Sequence, residues 1–361
     1  MAIEYPTTLP IFPTQTDGGI GTGAFINDIS GELLAALTEF GILPKGNHVD
    51  VKARLNALDL RSIINIIING GFEVWQRNTS FSSPASGSYT ADRWKLQIDA
   101  GPPTFTVSRE ASVIDEGLYA MKVDLTVVAG CTGLVHYQFI ENFQQYRGKT
   151  VSFQMRVHAN VASKFRLTLD DGISATAVSS YHSGASAYET LTVILAVSAT
   201  ATRLRIGMGQ DSAPSVGTAY FDSGMFIVGL TPLAFVPSDP EIELARCQRY
   251  YEKSYAIGTN PASLTGVNSE QFRLTGAIPN GESWGYTVRW KVTKRTTPTI
   301  VLYSFATGAT GVIRNNTTGV DKASVAGGPG DSCFNIGNNT GGVDGAANDH
   351  MIAHWTADAE I

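Results

Sequence analysis

Residues Val151 to Val157 read VSFQMRV, with Val151, Phe153, Met155 and Val157 on one side and Ser152, Gln154 and Arg156 on the other. A two-residue period is the geometry of a β-strand with one buried face, and no helix can hold it. The alternation returns in Phe165 to Leu169 and Leu204 to Met208, and Tyr119 to Leu125 and Ala219 to Leu230 also read as strands. Turns containing Gly or Asp separate these segments, and no helical period of useful length interrupts residues 69–237. The pattern predicts a mainly β fold, with one antiparallel β-sandwich of jelly-roll size over residues 65–237.

The flanks read differently. Residues 1–23 are rich in Pro, Thr and Gly, which suits an extended arm. Ile29, Leu33, Leu34 and Leu37 fall at helical spacing, with Gly41 placed to end that helix. Val51, Leu55 and Leu58 make a short heptad fragment, which suits a stalk around a threefold axis as well as a helix packed on its own domain. Residues 1–64 are therefore expected to form an arm with short helices.

At residue 238 the sequence SDPEIELARCQRYYEKSY interrupts the β pattern. Ser238 or Asp239 can cap, Pro240 suits a first turn, and Glu241 and Glu243 favour the positive end of a helix dipole. The spacing predicts a short amphipathic helix with Leu244, Cys247 and Tyr251 inward and Arg246, Arg249 and Lys253 outward. Strands resume in GYTVRWKV, TPTIVLYS and HMIAHWTADAEI around a Gly- and Asn-rich stretch, so residues 238–361 read as a linker helix plus a small C-terminal β domain.

Several functions are disfavoured by composition and motif. A net charge of −6 leaves no basic footprint for nucleic acid. Cys131, Cys247 and Cys333 have no pairing or metal-ligand spacing and are expected as free thiols. There is no secretion signal and no apolar run of the ~18 residues a membrane helix requires, so the expectation is a soluble protein without membrane insertion. GESWG (281–285) matches a nucleophile-elbow pattern but sits between strands, and RGKT (147–150) precedes a strand where a phosphate loop needs a helix. The pair Asp170-Asp171 is expected to be a turn, not an acid–base pair. No catalytic residue is assigned.

The stretch NGGFEVWQRNTSFSSPASGSYTADRW (Asn69 to Trp94) resembles the opening of a domain found in bacteriophage tail-fibre and other virion appendage proteins. SDPEIELARCQRYYEKSY resembles the segment that follows it in those proteins, and VRWKVTKRTTPTIVLYS and the terminal DAEI resemble their C-terminal strands. The resemblance runs in matching order over residues 66–361. It implies a homotrimeric structural protein of the virion, assembled in the host cytoplasm and docked to other tail or head proteins through residues 1–64. Its β domains would be receptor-binding, recognising host surface polysaccharide or lipopolysaccharide.

A second similarity, to jelly-roll carbohydrate-binding modules, rests on the Asn69 to Glu73 opening and the late strand AYFDSGMFIV. It implies a structural calcium ion held by Glu73 and Asp222, and no other cofactor. Stacked sugar rings would meet Tyr89, Trp94, Tyr181 and Tyr188, with Gln76 and Arg77 as polar partners. Strand alternation in NGGFEVWQR would turn Phe72 and Val74 one way and Glu73 and Trp75 the other. Two alternatives stand beside binding: a polysaccharide depolymerase tailspike, and a purely structural head, collar or baseplate fibre. Such depolymerases usually carry long repetitive β-helical bodies, which this chain lacks, so a binding protein and not an enzyme is expected.

Overall fold

The alternating segments form strands in a computed structural model of the chain. The chain divides into two compact units, Met1–Arg61 and Ser62–Ile361. Residues 65–230, 235–274, 276, 285–338 and 345–361 are described here, all in the second unit. The expected arm and stalk helices lie outside the described residues, as does most of GESWG.

Strands β1 (Ser80–Ser82), β2 (Lys95–Asp99), β3 (Thr104–Glu110), β4 (Ala120–Val127), β5 (Gly133–Phe139), β6 (Thr150–Ala159), β7 (Arg166–Asp170), β8 (Ala177–Val178), β9 (Tyr188–Ala196), β10 (Arg205–Gln210) and β11 (Gly217–Val228) make two sheets. One has six strands in the order β1-β3-β4-β11-β6-β9, and the other has five in the order β2-β5-β10-β7-β8. All neighbours are antiparallel. Phe153, Met155 and Val157 of β6 meet Leu167 and Leu169 of β7 and Ile206 and Met208 of β10 in one buried core. Each such side chain contributes roughly 1.5–3 kcal/mol by leaving water, which is why the apolar parity fixes which face turns inward.

Helix α1 (Pro240–Gln248) follows, capped by Asp239, whose carboxylate accepts the amides of Glu241 at 2.9 Å and Ile242 at 3.4 Å. Its expected polar side is partly wrong. Lys253 is only 2% exposed because the chain leaves the helix for strand β12 (Tyr251–Lys253) and loses the helical phase. The Lys253 ammonium donates to the carbonyls of Gln76, Ile257 and Thr259.

Strands β13 (Glu270–Arg273), β14 (Gly285–Arg289), β15 (Thr299–Tyr303), β16 (Val312–Asn315), β17 (Val320–Gly327), β18 (Cys333–Asn338) and β19 (His350–Asp358) complete a second antiparallel sheet system. β19 is its axis, pairing with β12, β13, β15 and β16. A second core forms around Trp290, Phe334 and Trp355, whose ring centroids lie 4.8–5.6 Å apart. The fold is mainly β, as the sequence predicts. Among the described residues no helix is long and apolar enough to cross a membrane. Cys131, Cys247 and Cys333 are free, the first two buried.

The opening stretch is not a strand. Asn69 and Phe72 take left-handed backbone angles, φ 59° and 53°, and the bend buries Phe72, Val74 and Trp75 together. The expected alternation through NGGFEVWQR therefore fails, because two bends reset the direction of successive side chains.

Candidate functional site: an outward aromatic face

Three of the six residues expected to hold sugar lie at the seam between the two cores, and Trp94 lies inside the first core. Gln76 is 1% exposed, and its side-chain amide donates to the Asp92 carboxylate and, at 2.7 Å, to the Tyr251 carbonyl. Arg77 pairs with Asp358 at 3.1 Å, Glu360 at 3.4 Å and Asp92 at 3.6 Å, and its guanidinium lies 3.7 Å from the Tyr251 ring centroid. Trp94 is fully buried and donates its indole N–H to the Asn69 carbonyl at 3.0 Å. Tyr89 is half-buried and donates its hydroxyl to the Ile361 carbonyl at 2.6 Å. Gln76, Arg77 and Trp94 thus present nothing to a sugar. The planar polar groups and aromatics that suggested a binding surface are used up on one another and on the C-terminal residues.

The remaining two are apart. Tyr188 lies on the outward side of the six-stranded sheet, its hydroxyl on the Val113 carbonyl at 3.0 Å. Tyr181 sits by the five-stranded sheet, its ring centroid 4.4 Å from the Arg166 guanidinium. The six do not converge on one site.

A different surface gathers the chemistry they were expected to supply. Strand β5 reads GLVHYQF, and its polarity is inverted: His136 and Gln138 are 1% and 2% exposed, while Val135, Tyr137 and Phe139 face out, half-buried. Gln138 earns its interior place by clamping the chain's entry, accepting the Ile68 amide at 3.0 Å and donating to the Ile68 carbonyl at 2.8 Å. His136 has an unpartnered Nε2, and burial pushes its pKa down to about 3.

Register places the outward side chains in rows. Lys95, Tyr137, Gly207, Thr168 and Val178 form one row, and Gln97, Val135, Gly209 and Arg166 the next. Phe139, Arg205 and Asp170 form a third. A Cβ at Gly207 would lie 2.4 Å from Thr168 Oγ1 and 3.2 Å from Val135 Cγ1, so glycine here lets its neighbours lie low beside the Tyr137 ring. Tyr137 and Phe139 meet edge to face at 5.3 Å, and the Arg205 guanidinium lies 4.9 Å from the Tyr137 centroid.

The arginines of this face are matched, while the exposed Asp99 carboxylate accepts the Gln97 side-chain amide at 2.8 Å. Arg205 donates to Gln97 at 2.9 Å and pairs with Asp170 at 3.1 Å; Arg203 also holds Asp170, at 2.8 Å. Arg166 and Asp211 make two 2.7 Å bonds. Asp171, although burial alone would raise its pKa, is held below the ordinary range by the amides of Ser198, Ile173 and Ser174, which it organises into a turn. The Asp170-Asp171 pair is therefore a turn and an ion-pair anchor. What remains is an aromatic platform edged by planar polar groups with no unmatched arginine. Such a surface can stack a sugar's C–H face and exchange hydrogen bonds with its hydroxyls.

Tyr137, Phe139, Gln97 and Arg205 were not legible as site residues. Read in the usual sense, β5 would bury its aromatics. The signal is the pair of polar residues interleaved with them, which have to go somewhere.

Asp222 and Glu73, the expected calcium ligands, fall short of a cage. Asp222 sits at a bulge in β11 and accepts the backbone amides of Asp115 at 2.8 Å and Gly117 at 3.3 Å through Oδ2. Its Oδ1 and the Glu73 Oε2 are buried without a hydrogen-bond partner. Burial first, then the neighbouring Glu243 and Asp222 charges, raise the Glu73 pKa. Calcium takes six to eight oxygens. Among the described residues no group of three or more acidic, His or Cys side chains converges, so side chains alone offer fewer oxygens than the ion takes.

No protein-family model matches the chain, and no curated protein matches it. Among solved structures it is similar to the enzymatically active domain of the bacteriophage CBA120 tailspike protein 4, at 14% identity and a TM-score of 0.32, over 41% of this chain and 21% of that one. The alignment thus spans about a fifth of that tailspike domain. A CBM4 structure is similar at 13% identity and a TM-score of 0.30, covering 45% of this chain and 98% of that one. A xylan-binding domain from CBM 22 is similar at 13% identity and a TM-score of 0.30, over 42% and 96%.

Proposed function

We propose that the chain is a virion appendage protein, a tail-fibre or tail-tip component, that recognises glycan on the host surface. Residues 1–64 attach it to other tail or head proteins, and it works as a homotrimer. A host polysaccharide or lipopolysaccharide stacks on the outward face of the five-stranded sheet. The observation that carries the binding surface is the inverted strand β5, which puts Tyr137 and Phe139 outside while two polar side chains are buried. The virion setting rests on the ordered resemblance of residues 66–361 to appendage proteins.

The face binds without cleaving. Hydrolysis of a glycosidic bond requires a carboxylic acid and a carboxylate free to exchange protons with the substrate. Asp170 and Asp211 are both held by arginines, which leaves Asp99 as a single carboxylate where hydrolysis needs two.

The test is titration of the full chain against host-derived polysaccharide. Tyr137→Ala is expected to weaken binding about tenfold or more, the loss of a stacking ring. Undiminished binding in both Tyr137→Ala and Phe139→Ala would overturn the site. New reducing ends released from the polysaccharide would instead select the depolymerase reading. Antibody labelling of intact particles tests the virion location.

A further inference from the structure

The six-stranded sheet also turns aromatics outward, and they stand in one row. Register pairs Tyr188 of β9 with His158 of β6, His158 with Tyr220 of β11, and Tyr220 with Lys122 of β4. Adjacent strands are roughly 4.8 Å apart, so the four side chains follow one line across the sheet, at right angles to the strands. The His158 ring stands edge-on to both tyrosines, with centroids 5.5 Å from Tyr188 and 5.2 Å from Tyr220.

One side of this row is walled. The connection between β3 and β4 is pinned across the sheet by the Asp115 and Gly117 amides on Asp222, by the Asp115–Arg156 ion pair and by the Tyr188 hydroxyl on the Val113 carbonyl. The row therefore runs along the foot of a fixed loop, as a ledge and not as a flat face.

Its charge differs from that of the Tyr137 face. The Lys122 ammonium lies 5.9 Å from the Tyr220 ring centroid and, among the described residues, has neither an ion pair nor a hydrogen bond. Of the acidic groups nearby, Glu110 feels the Lys122 charge without an ion pair, and its hydrogen bonds go elsewhere. Glu110 accepts the Ala111 and Ser112 amides and the Ser112 hydroxyl, and Asp124 accepts the Thr218 hydroxyl. His158 Nδ1 is buried and has no partner. A cation that lies beside an outward ring and outside any ion pair among the described residues fits a carboxylate carried on a sugar.

We propose that this ledge is a second saccharide site and that its ligand is an acidic sugar, a uronate-type pyranose stacked on Tyr220 with its carboxylate toward Lys122. The proposal takes the ligand class from the glycan-binding reading but uses none of the residues of the Tyr137 face. Because the two faces are opposite sides of one sandwich, the domain would hold two strands of a polysaccharide at once.

The experiment titrates the full chain with two probes of equal length, an oligogalacturonate and an uncharged xylo-oligosaccharide. Tyr220→Ala and Lys122→Gln should each weaken oligogalacturonate binding about tenfold and leave the uncharged probe unaffected. Tyr137→Ala should do the reverse. Both substitutions on the ledge are at the surface, and an unchanged melting temperature verifies the fold. Absence of oligogalacturonate binding, or its survival in Tyr220→Ala and Lys122→Gln, overturns the proposal. Loss of both probes in Tyr137→Ala also overturns it. If oligogalacturonate binds through Tyr220 while no uncharged glycan binds, the ledge stands and the Tyr137 face falls.

Discussion

The seam between the two cores and the outward face of the five-stranded sheet are built from the same residue types: tyrosine, arginine, glutamine and aspartate. At the seam every one is committed. Arg77 serves three carboxylates and a ring, Arg93 pairs with Glu360 over the Tyr250 ring at 3.5 Å, and Lys294 and Glu252 pair with no exposure at all. On the face the arginines are matched to carboxylates, but the Tyr137 and Phe139 rings keep one side open. Aromatic and planar polar composition therefore does not separate a joint from a binding surface. What separates them is whether the chain itself supplies the partner.

The comparison breaks hardest at Arg77. Removing it leaves Asp92, a carboxylate with no exposure, without its guanidinium and with only the Gln76 groups for partners. Taking away one partner of a buried pair typically costs about 3–5 kcal/mol. Arg77→Ala should lower the stability measured by chemical denaturation by that order, while glycan affinity of the remaining folded protein is unchanged. A variant that melts like the wild type but binds weaker would return Arg77 to the ligand site where its sequence context placed it.

His136 gives the next largest effect, through pH. The unfolded chain takes up a proton at this residue below about 6.5, but the folded protein does so only below about 3. Unfolding therefore binds a proton across that window, and stability falls as the solution is acidified, by roughly 3 kcal/mol at pH 4. Asp92 works in the opposite sense. Burial holds it at about 6 against an ordinary 3.8, so acidification through that range favours the folded form. Both proteins share Asp92, so the wild type compared with His136→Leu isolates the histidine. The stability difference between them should grow steadily from pH 7 to pH 4 in favour of the variant, and a constant difference would show that the imidazole is not held neutral.

These two residues also mark what the sequence could and could not reveal. β4, β6, β7, β10 and β11 were legible because burying one face of each produces a two-residue period within a few positions. Arg77 was misread because its partners Asp358 and Glu360 are 281 and 283 residues away, beyond any local pattern. β5 misleads for a different reason: its alternation is regular but inverted, so the usual reading would bury Val135, Tyr137 and Phe139 and expose His136 and Gln138. The two bends at Asn69 and Phe72 depend on tertiary contacts such as the Glu243 carboxylate on the Asn69 amide. The turn-forming run Asn69-Gly70-Gly71 announces the first bend, but no local signal announces the one at Phe72.

On the face itself, stability should hardly respond. Tyr137→Ala removes a ring that is half in water and leaves no sealed cavity, so a loss of less than about 1 kcal/mol is expected beside its loss of binding. A larger loss, of the 3–5 kcal/mol that truncating a buried aromatic costs, would make Tyr137 a core residue and remove the distinction drawn here.

The smallest predicted effect tests the one place among the described residues where buried carboxylate oxygens lack partners. Replacing Asp222 by Asn keeps an oxygen for the Asp115 and Gly117 amides and removes a charge that repels Glu73. With no metal in the site, Asp222→Asn should leave stability unchanged or slightly raised, because it removes a buried and half-partnered charge. Adding calcium or a chelator should then move neither protein's melting temperature. With calcium bound, the result is opposite in every arm: a chelator lowers the wild type, the variant starts lower, and calcium no longer raises it. The two orphaned oxygens would then be explained by an ion whose remaining ligands are backbone carbonyls and water. The comparison would gain a third kind of polar group, one that finds its partner in neither the chain nor a glycan.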